Sequence, residues 1–139
     1  MLIRTIYVSR ATSALPLDLK DILAASQRNN PVLGISGAMC FLDGVYLQYI
    51  EGEAATVDAL YKKIQKDPRH KEAKLLDHEF ISQREYPKWS MALLTWTEET
   101  KAIFSLYNPD APLDLYTVNP SNIAELLHSW AGTRNWMTV

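Results

Sequence analysis

Residues 36–51 read SGAMCFLDGVYLQYIE, two apolar runs separated by Asp43-Gly44. A two-residue Asp-Gly loop favours a type I′ turn, because both central residues must take positive φ. Such a turn fixes the register of the hairpin: Leu42 opposes Val45, Phe41 opposes Tyr46, Cys40 opposes Leu47 and Met39 opposes Gln48. Directly opposed residues share a face of the sheet, so Phe41, Tyr46, Met39, Gln48 and Ile50 project together. That row is apolar or aromatic apart from one primary amide. Each unmet polar group of a buried amide costs about 1–3 kcal/mol, so a polar partner is expected opposite Gln48. A backbone group or a water would satisfy it, and so would a ligand that carries both donors and acceptors.

The 139 residues, 47% hydrophobic and 22% charged, suffice for one domain with a core and are too few for two. A net charge of −2 supplies no basic field for nucleic acid. Cys40 is the single cysteine, so no intramolecular disulfide forms and a buried, inert thiol is expected. His70, His78 and His128 are scattered with no second cysteine to help, so no metal site is expected. The N-terminal MLIRTIYVSR lacks the apolar core of a signal peptide, and no run approaches the roughly 18 apolar residues of a membrane span. We expect a cytoplasmic protein without membrane contact.

Around the hairpin the chain alternates between period two and period 3.6. Residues 2–9 read as a strand with Ile3, Thr5, Tyr7 and Ser9 on one face. A helix follows, with Pro16 in its first turn and a stripe of Leu19, Ile22, Leu23 and Ser26. Asn29-Asn30-Pro31 predicts that it stops at one of the asparagines, leaving the second amide near the Ile22/Ser26 stripe. Gly34-Ile35-Ser36-Gly37 does not match the spacing of a nucleophile elbow. A second helix over 54–66 buries Val57, Leu60, Tyr61 and Ile64 and ends at Asp67-Pro68. Arg69 and His70 then fall in a loop.

Residues 74–82 and 89–96 read as two further strands, with Trp89, Met91, Leu93 and Thr95 on one face of the last. The order β-α-β-β-α-β-β predicts an α+β, ferredoxin-like sheet with a fifth strand and both helices on one face. The first and third strands are expected to be central, adjacent and parallel, which makes Tyr7 and Gln48 neighbours. Residues 97–139 form a helical appendage: a short helix over 98–107, then a helix capped by Asn119-Pro120, carrying Ile123, Leu126, Leu127 and Trp130 and stopped by Gly132. That stripe needs a surface to cover it.

Taken together, Tyr7 on the first strand, QRNNP (27–31), GISG (34–37), YLQYIEGE (46–53), DPRH (67–70) and WSM (89–91) resemble the BLUF domains, blue-light sensors that use flavin. The resemblance covers residues 1–96 and implies bound FAD, with FMN or riboflavin as substitutes. It implies that Tyr7 donates an electron and a proton to the photoexcited ring. Gln48 then rearranges its hydrogen bonds to the flavin, shifting absorption slightly to the red. Asn30 and Asn29 hold the polar edge of the ring, Arg28 joins the cofactor-binding residues, and Ile22 and Ile64 sandwich the ring. Ser26, Arg69 and His70 line the pocket, and Trp89 and Met91 relay the signal.

We expect residues 97–139 to carry that signal to an unknown downstream protein partner, within a homo-oligomer, because the chain has no room for a fused effector. Two other functions compete. A flavin-dependent oxidoreductase would want paired carboxylates or an activated nucleophile, which the sequence lacks. A flavin-free ferredoxin-like module binding a small molecule or protein would be colourless when purified.

Overall fold

The computed structural model describes residues 1–12 and 16–137, with residues 16–19 described by backbone alone. The hairpin forms in the expected register. Strand β2 (Ser36–Leu42) pairs with β3 (Val45–Glu53) through Leu42↔Val45 and Met39↔Gln48, and the turn residues Asp43 and Gly44 have φ of 49° and 77°. Strand β1 (Leu2–Ala11) lies on the other side of β3 and places Tyr7 directly opposite Gln48. The β1–β3 pair is antiparallel, in contrast to the parallel pairing expected from sequence. Helix α1 (Pro16–Leu33) brings the chain back so that β1 and β2 run alike, and the tight turn then reverses β3.

The described sheet has six strands. Helix α2 (Ala54–Lys66) leads from β3 into β4 (His70–Phe80), which pairs antiparallel with β1 at one edge. Beyond β2 come β5 (Ala92–Leu94) and then β6 (Trp136–Met137), giving the order β4-β1-β3-β2-β5-β6. The fold is ferredoxin-like with an extension at one edge. β6, from the end of the tail, has no counterpart in the sequence expectation. β5 is also shorter than expected, because residues 81–91 are bends and turns and only three residues are extended.

Helix α1 continues through Pro31 and both asparagines stay helical, against the expected stop. A proline this near the end removes one intrahelical bond. The terminus is instead made by Gly34, whose φ of 68° supplies the left-handed residue. Ile35 N–H reaches back to the Asn30 carbonyl (2.9 Å) and Gly34 N–H to that of Pro31 (3.4 Å), a Schellman closure. The predicted stripe residue Leu19 lies outside the described side chains. Gly132 ends the last helix as expected, capping it at φ −74°.

Two apolar clusters flank the sheet. On one face Ile3, Met39, Tyr46, Ile50 and Met91 pack against Ile22 of α1 and Val57 of α2. On the other face Ile6, Val8, Cys40, Leu47 and Tyr49 pack against α3 (Glu98–Tyr107) and α4 (Ile123–Ala131). The stripe Ile123, Leu126, Leu127 and Trp130 is fully buried there, so the chain's own sheet covers its tail. Thr97 and Thr100 cap the N-terminus of α3 with a reciprocal capping box. Gly37 has no room for a side chain: a Cβ there would stand 2.0 Å from the Tyr49 carbonyl oxygen.

Candidate functional site

A cavity of about 540 Å³ opens between α1 and α2 above the sheet. From α1 it is lined by Ile22, Ser26, Asn29 and Asn30, and from α2 by Leu60 and Ile64. Gln48 forms its floor, with Asp67, Arg69 and His70 along one side. Val57 is fully buried, while Leu60, Tyr61 and Ile64 of the same stripe are only half-buried. An amphipathic helix normally buries its whole apolar stripe. Part of this one faces the cavity.

The polar floor is a short chain of hydrogen bonds. The Tyr7 hydroxyl donates to Gln48 Oε1, and Gln48 Nε2 donates to Met91 Sδ at 3.5 Å. Tyr7 is wholly buried, which drives its phenol pKa far above the ordinary value, with Tyr61, Tyr46 and Asp67 adding to the rise. Tyr7 is therefore a neutral donor at every physiological pH. His70 begins β4 and is buried, correcting the loop placement expected from sequence. Its Nδ1 lies 2.8 Å from Ser9 Oγ, and its ring packs against Tyr46 and edge-on to Tyr7. Burial lowers its pKa, Asp67 opposes that and Arg69 adds to it. Arg69 forms an ion pair with Asp67 at 2.6 Å, which holds that carboxyl below its usual range.

Asn30 is buried and its Nδ2 donates to the Ser90 carbonyl (2.6 Å), while Gln27 Nε2 reaches the Met91 carbonyl (3.3 Å). The segment carrying Met91 is thus tied to α1. Of the residues expected in the site, Arg28 alone is exposed and away from the cavity lining. Trp89 and Met91 do not share a face as expected. Met91 joins the cluster under the cavity and Trp89 packs against the opposite one, because the backbone there bends and does not pleat. Thr56, Ala59 and Lys63 went unremarked in the sequence, although each stands one position before a member of the α2 stripe (Val57, Leu60 and Ile64); Gln27 figures there only as part of QRNNP, with no role.

The cavity suits a flat ring with one polar edge. Its walls are aliphatic side chains from two helices, and Gln48, Asn29 and Asn30 offer primary amides, each with a donor and an acceptor end. The profile of the family described as sensors of blue-light using FAD (BLUF) matches residues 2–92. The chain belongs to the BLUF family. A photoactivated adenylate cyclase subunit beta from Euglena longa is 32% identical over 96% of the chain, which spans 16% of that protein's length. Among solved structures, BlsA in its photo-activated state superposes with a TM-score of 0.87 at 28% identity, covering 97% of this chain and 98% of that one. BlrB in its dark state gives 0.75 at 32% identity, covering 94% of each. This BLUF chain is accordingly a blue-light sensor domain whose cofactor is FAD, and Ile22, Ile64, Gln48, Asn29 and Asn30 all line the same cavity.

Proposed function

We propose that this BLUF chain is a reversible photoreceptor, without chemical turnover, in which Gln48 is the moving part. The observation that supports this is the unbroken line from the Tyr7 hydroxyl through the Gln48 amide to the Met91 sulfur. The bound flavin supplies a ring that absorbs blue light and oxidises strongly when excited. Tyr7 is the electron donor. Because burial disfavours the phenolate, the proton would not leave ahead of the electron; it would follow it, along the existing hydrogen bond through Gln48 Oε1 toward the ring, and both would return to Tyr7 once the amide has turned.

A primary amide that exchanges its two ends swaps an acceptor for a donor. Turned over, Gln48 presents Oε1 to the Met91 sulfur, and two acceptors then face each other. Met91 moves away, carrying with it a segment only one residue from β5. Two residues back, Trp89 stacks on Tyr86 (5.1 Å, 4° between planes) and meets Trp136 of β6 at 5.0 Å. Trp136 Nε1 donates to the Trp130 carbonyl of α4 (2.8 Å). In this reading residues 1–96 sense light, residues 97–139 deliver the output, and a partner protein or second copy reads the rearranged α3/α4 face.

An absorption spectrum of the flavin-loaded protein before and after blue light tests the reading. A reversible red shift is expected. Tyr7→Phe and Gln48→Leu should both stay yellow and lose it, and a Gln48→Leu protein that still shifts would sink the mechanism.

A further inference from the structure

On the face of the sheet away from the cavity, β3 carries a second buried polar side chain, Glu51, which is 0% exposed. Its carboxylate accepts four hydrogen bonds. Tyr49 Oη (3.0 Å) and Ser36 Oγ (2.9 Å) come from the β2–β3 hairpin, and the backbone N–H groups of Glu85 (2.7 Å) and Tyr86 (2.8 Å) come from the irregular segment before β5. Arg84 braces the same corner, donating to Ser36 Oγ (3.1 Å), the Glu51 carbonyl (3.3 Å) and the Gly34 carbonyl (2.6 Å). A carboxylate so deep in a protein is retained only where its hydrogen bonds replace lost hydration.

Residues 84–91 have no ladder of their own. They are held at one end by Glu51 and Arg84. At the other end three contacts hold them: Gly37 N–H to the Trp89 carbonyl (2.9 Å), Asn30 to Ser90, and Gln27 to Met91. The far end sits beside Gln48, and Tyr86, whose N–H binds Glu51, supplies the ring on which Trp89 stacks. We infer that Glu51 is a positioning residue for light output: it fixes residues 84–91 against β3, so that displacement at Met91 passes to β5, β6 and α4. It does not touch the cavity, so the optical response at Gln48 does not depend on it.

This inference rests on the photoreceptor reading, and hydrogen exchange on the full flavin-loaded chain in darkness and in blue light separates the two. In Glu51→Gln the amide places N–H donors against some of the four existing donors. Dark exchange over residues 84–91 should then rise about tenfold or more. The red shift should persist, while the light-minus-dark exchange difference over residues 92–137 should fall to less than about a third of the wild-type value. Tyr49→Phe, which removes one donor and leaves the carboxylate, should move both exchange measures the same way by less. It also decides the matter if Glu51→Gln fails to fold. A variant with wild-type exchange over 84–91, or with an undiminished light response over 92–137, would overturn the positioning role. Wild-type protein with no red shift would instead overturn the photoreceptor reading, whatever the variants do.

Discussion

Gln48 and Glu51 stand three residues apart on β3, face opposite sides of the sheet, and are held in contrasting ways. Gln48 faces a cavity, with one hydrogen bond from a phenol and one weak contact to a thioether. Glu51 is buried on the opposite face and accepts four hydrogen bonds, two of them from backbone. Turning the Gln48 amide disturbs one phenol bond and one contact to a thioether, a poor acceptor, whereas any rotation of Glu51 strands several donors at once. One strand thus carries a mobile group and an anchored one. The layers above them differ in kind as well: α1 and α2 leave apolar surface facing a cavity, while α4 buries its whole apolar stripe against the sheet.

The largest expected effect comes from breaking the sealed side. Trp130 is fully buried, packs edge-on to Trp96 at 5.5 Å, and donates its Nε1 to the Thr100 carbonyl (3.0 Å). Trp130→Ala should cost about 3–5 kcal/mol from the cavity and the lost bond, a large share of the stability of an ordinary domain. Urea denaturation measures it. A loss below about 1.5 kcal/mol would show that α4 rests only loosely on the sheet, and the contrast between the layers would collapse.

On the open side the same truncation should behave differently. Leu60 lines the cavity and is only half-buried, so Leu60→Ala should cost the flavin-free chain only about 1 kcal/mol. Its missing contacts should appear in the ligand instead, as flavin affinity weakened about tenfold. Fluorescence titration with FAD reads the second quantity and denaturation the first. A full-sized stability loss with unchanged flavin affinity would mean that Leu60 belongs to the core and not to the site.

The sequence makes the Gln48 side legible because its signals are local. Asp43-Gly44 dictates a turn, the turn dictates register, and register puts Gln48 among apolar neighbours, all within 16 residues. The Tyr7–Gln48 pairing follows from strand order alone, even though the expected strand direction there is wrong. Signals that depend on distant partners read poorly. Asn29-Asn30-Pro31 is a helix stop by propensity, yet Asn30 stays helical and binds Ser90, 60 residues away. Trp89 and Met91 share a face only if their backbone is pleated, and clamps from α1, β2 and β3 hold it bent. Glu51 was detectable: in the hairpin register it falls in the row of Val45, Leu47 and Tyr49, a carboxylate among apolar residues, and the parity argument that isolated Gln48 applies to it equally. His70 is named by the family resemblance, but its burial is not legible from the residues themselves, because Asp67-Pro68-Arg69 reads as a surface loop and only the pairing of β4 with β1 draws the ring inside.

The smallest effect should be a pH dependence confined to the open side. His70 reaches the cavity, and burial holds its pKa below the ordinary value, with Asp67 pulling upward and Arg69 downward. In the unfolded chain it takes up a proton at about pH 6.5. Between there and its lower folded pKa the unfolded state binds more protons, so stability is complete above about pH 6.5 and falls on acidification, by at most about 1.4 kcal/mol per pH unit. Asp67, also held low, loses its contribution in a more acidic window, below about pH 4. Denaturation midpoints between about pH 5 and 7.5 should therefore slope in wild type and flatten in His70→Gln, whose amide keeps a partner for Ser9 without titrating. Parallel profiles for the two proteins would mean that His70 protonates as readily folded as unfolded. Water would then reach its ring freely, and the cavity floor would be wetter than the burial of Tyr7 and Gln48 implies.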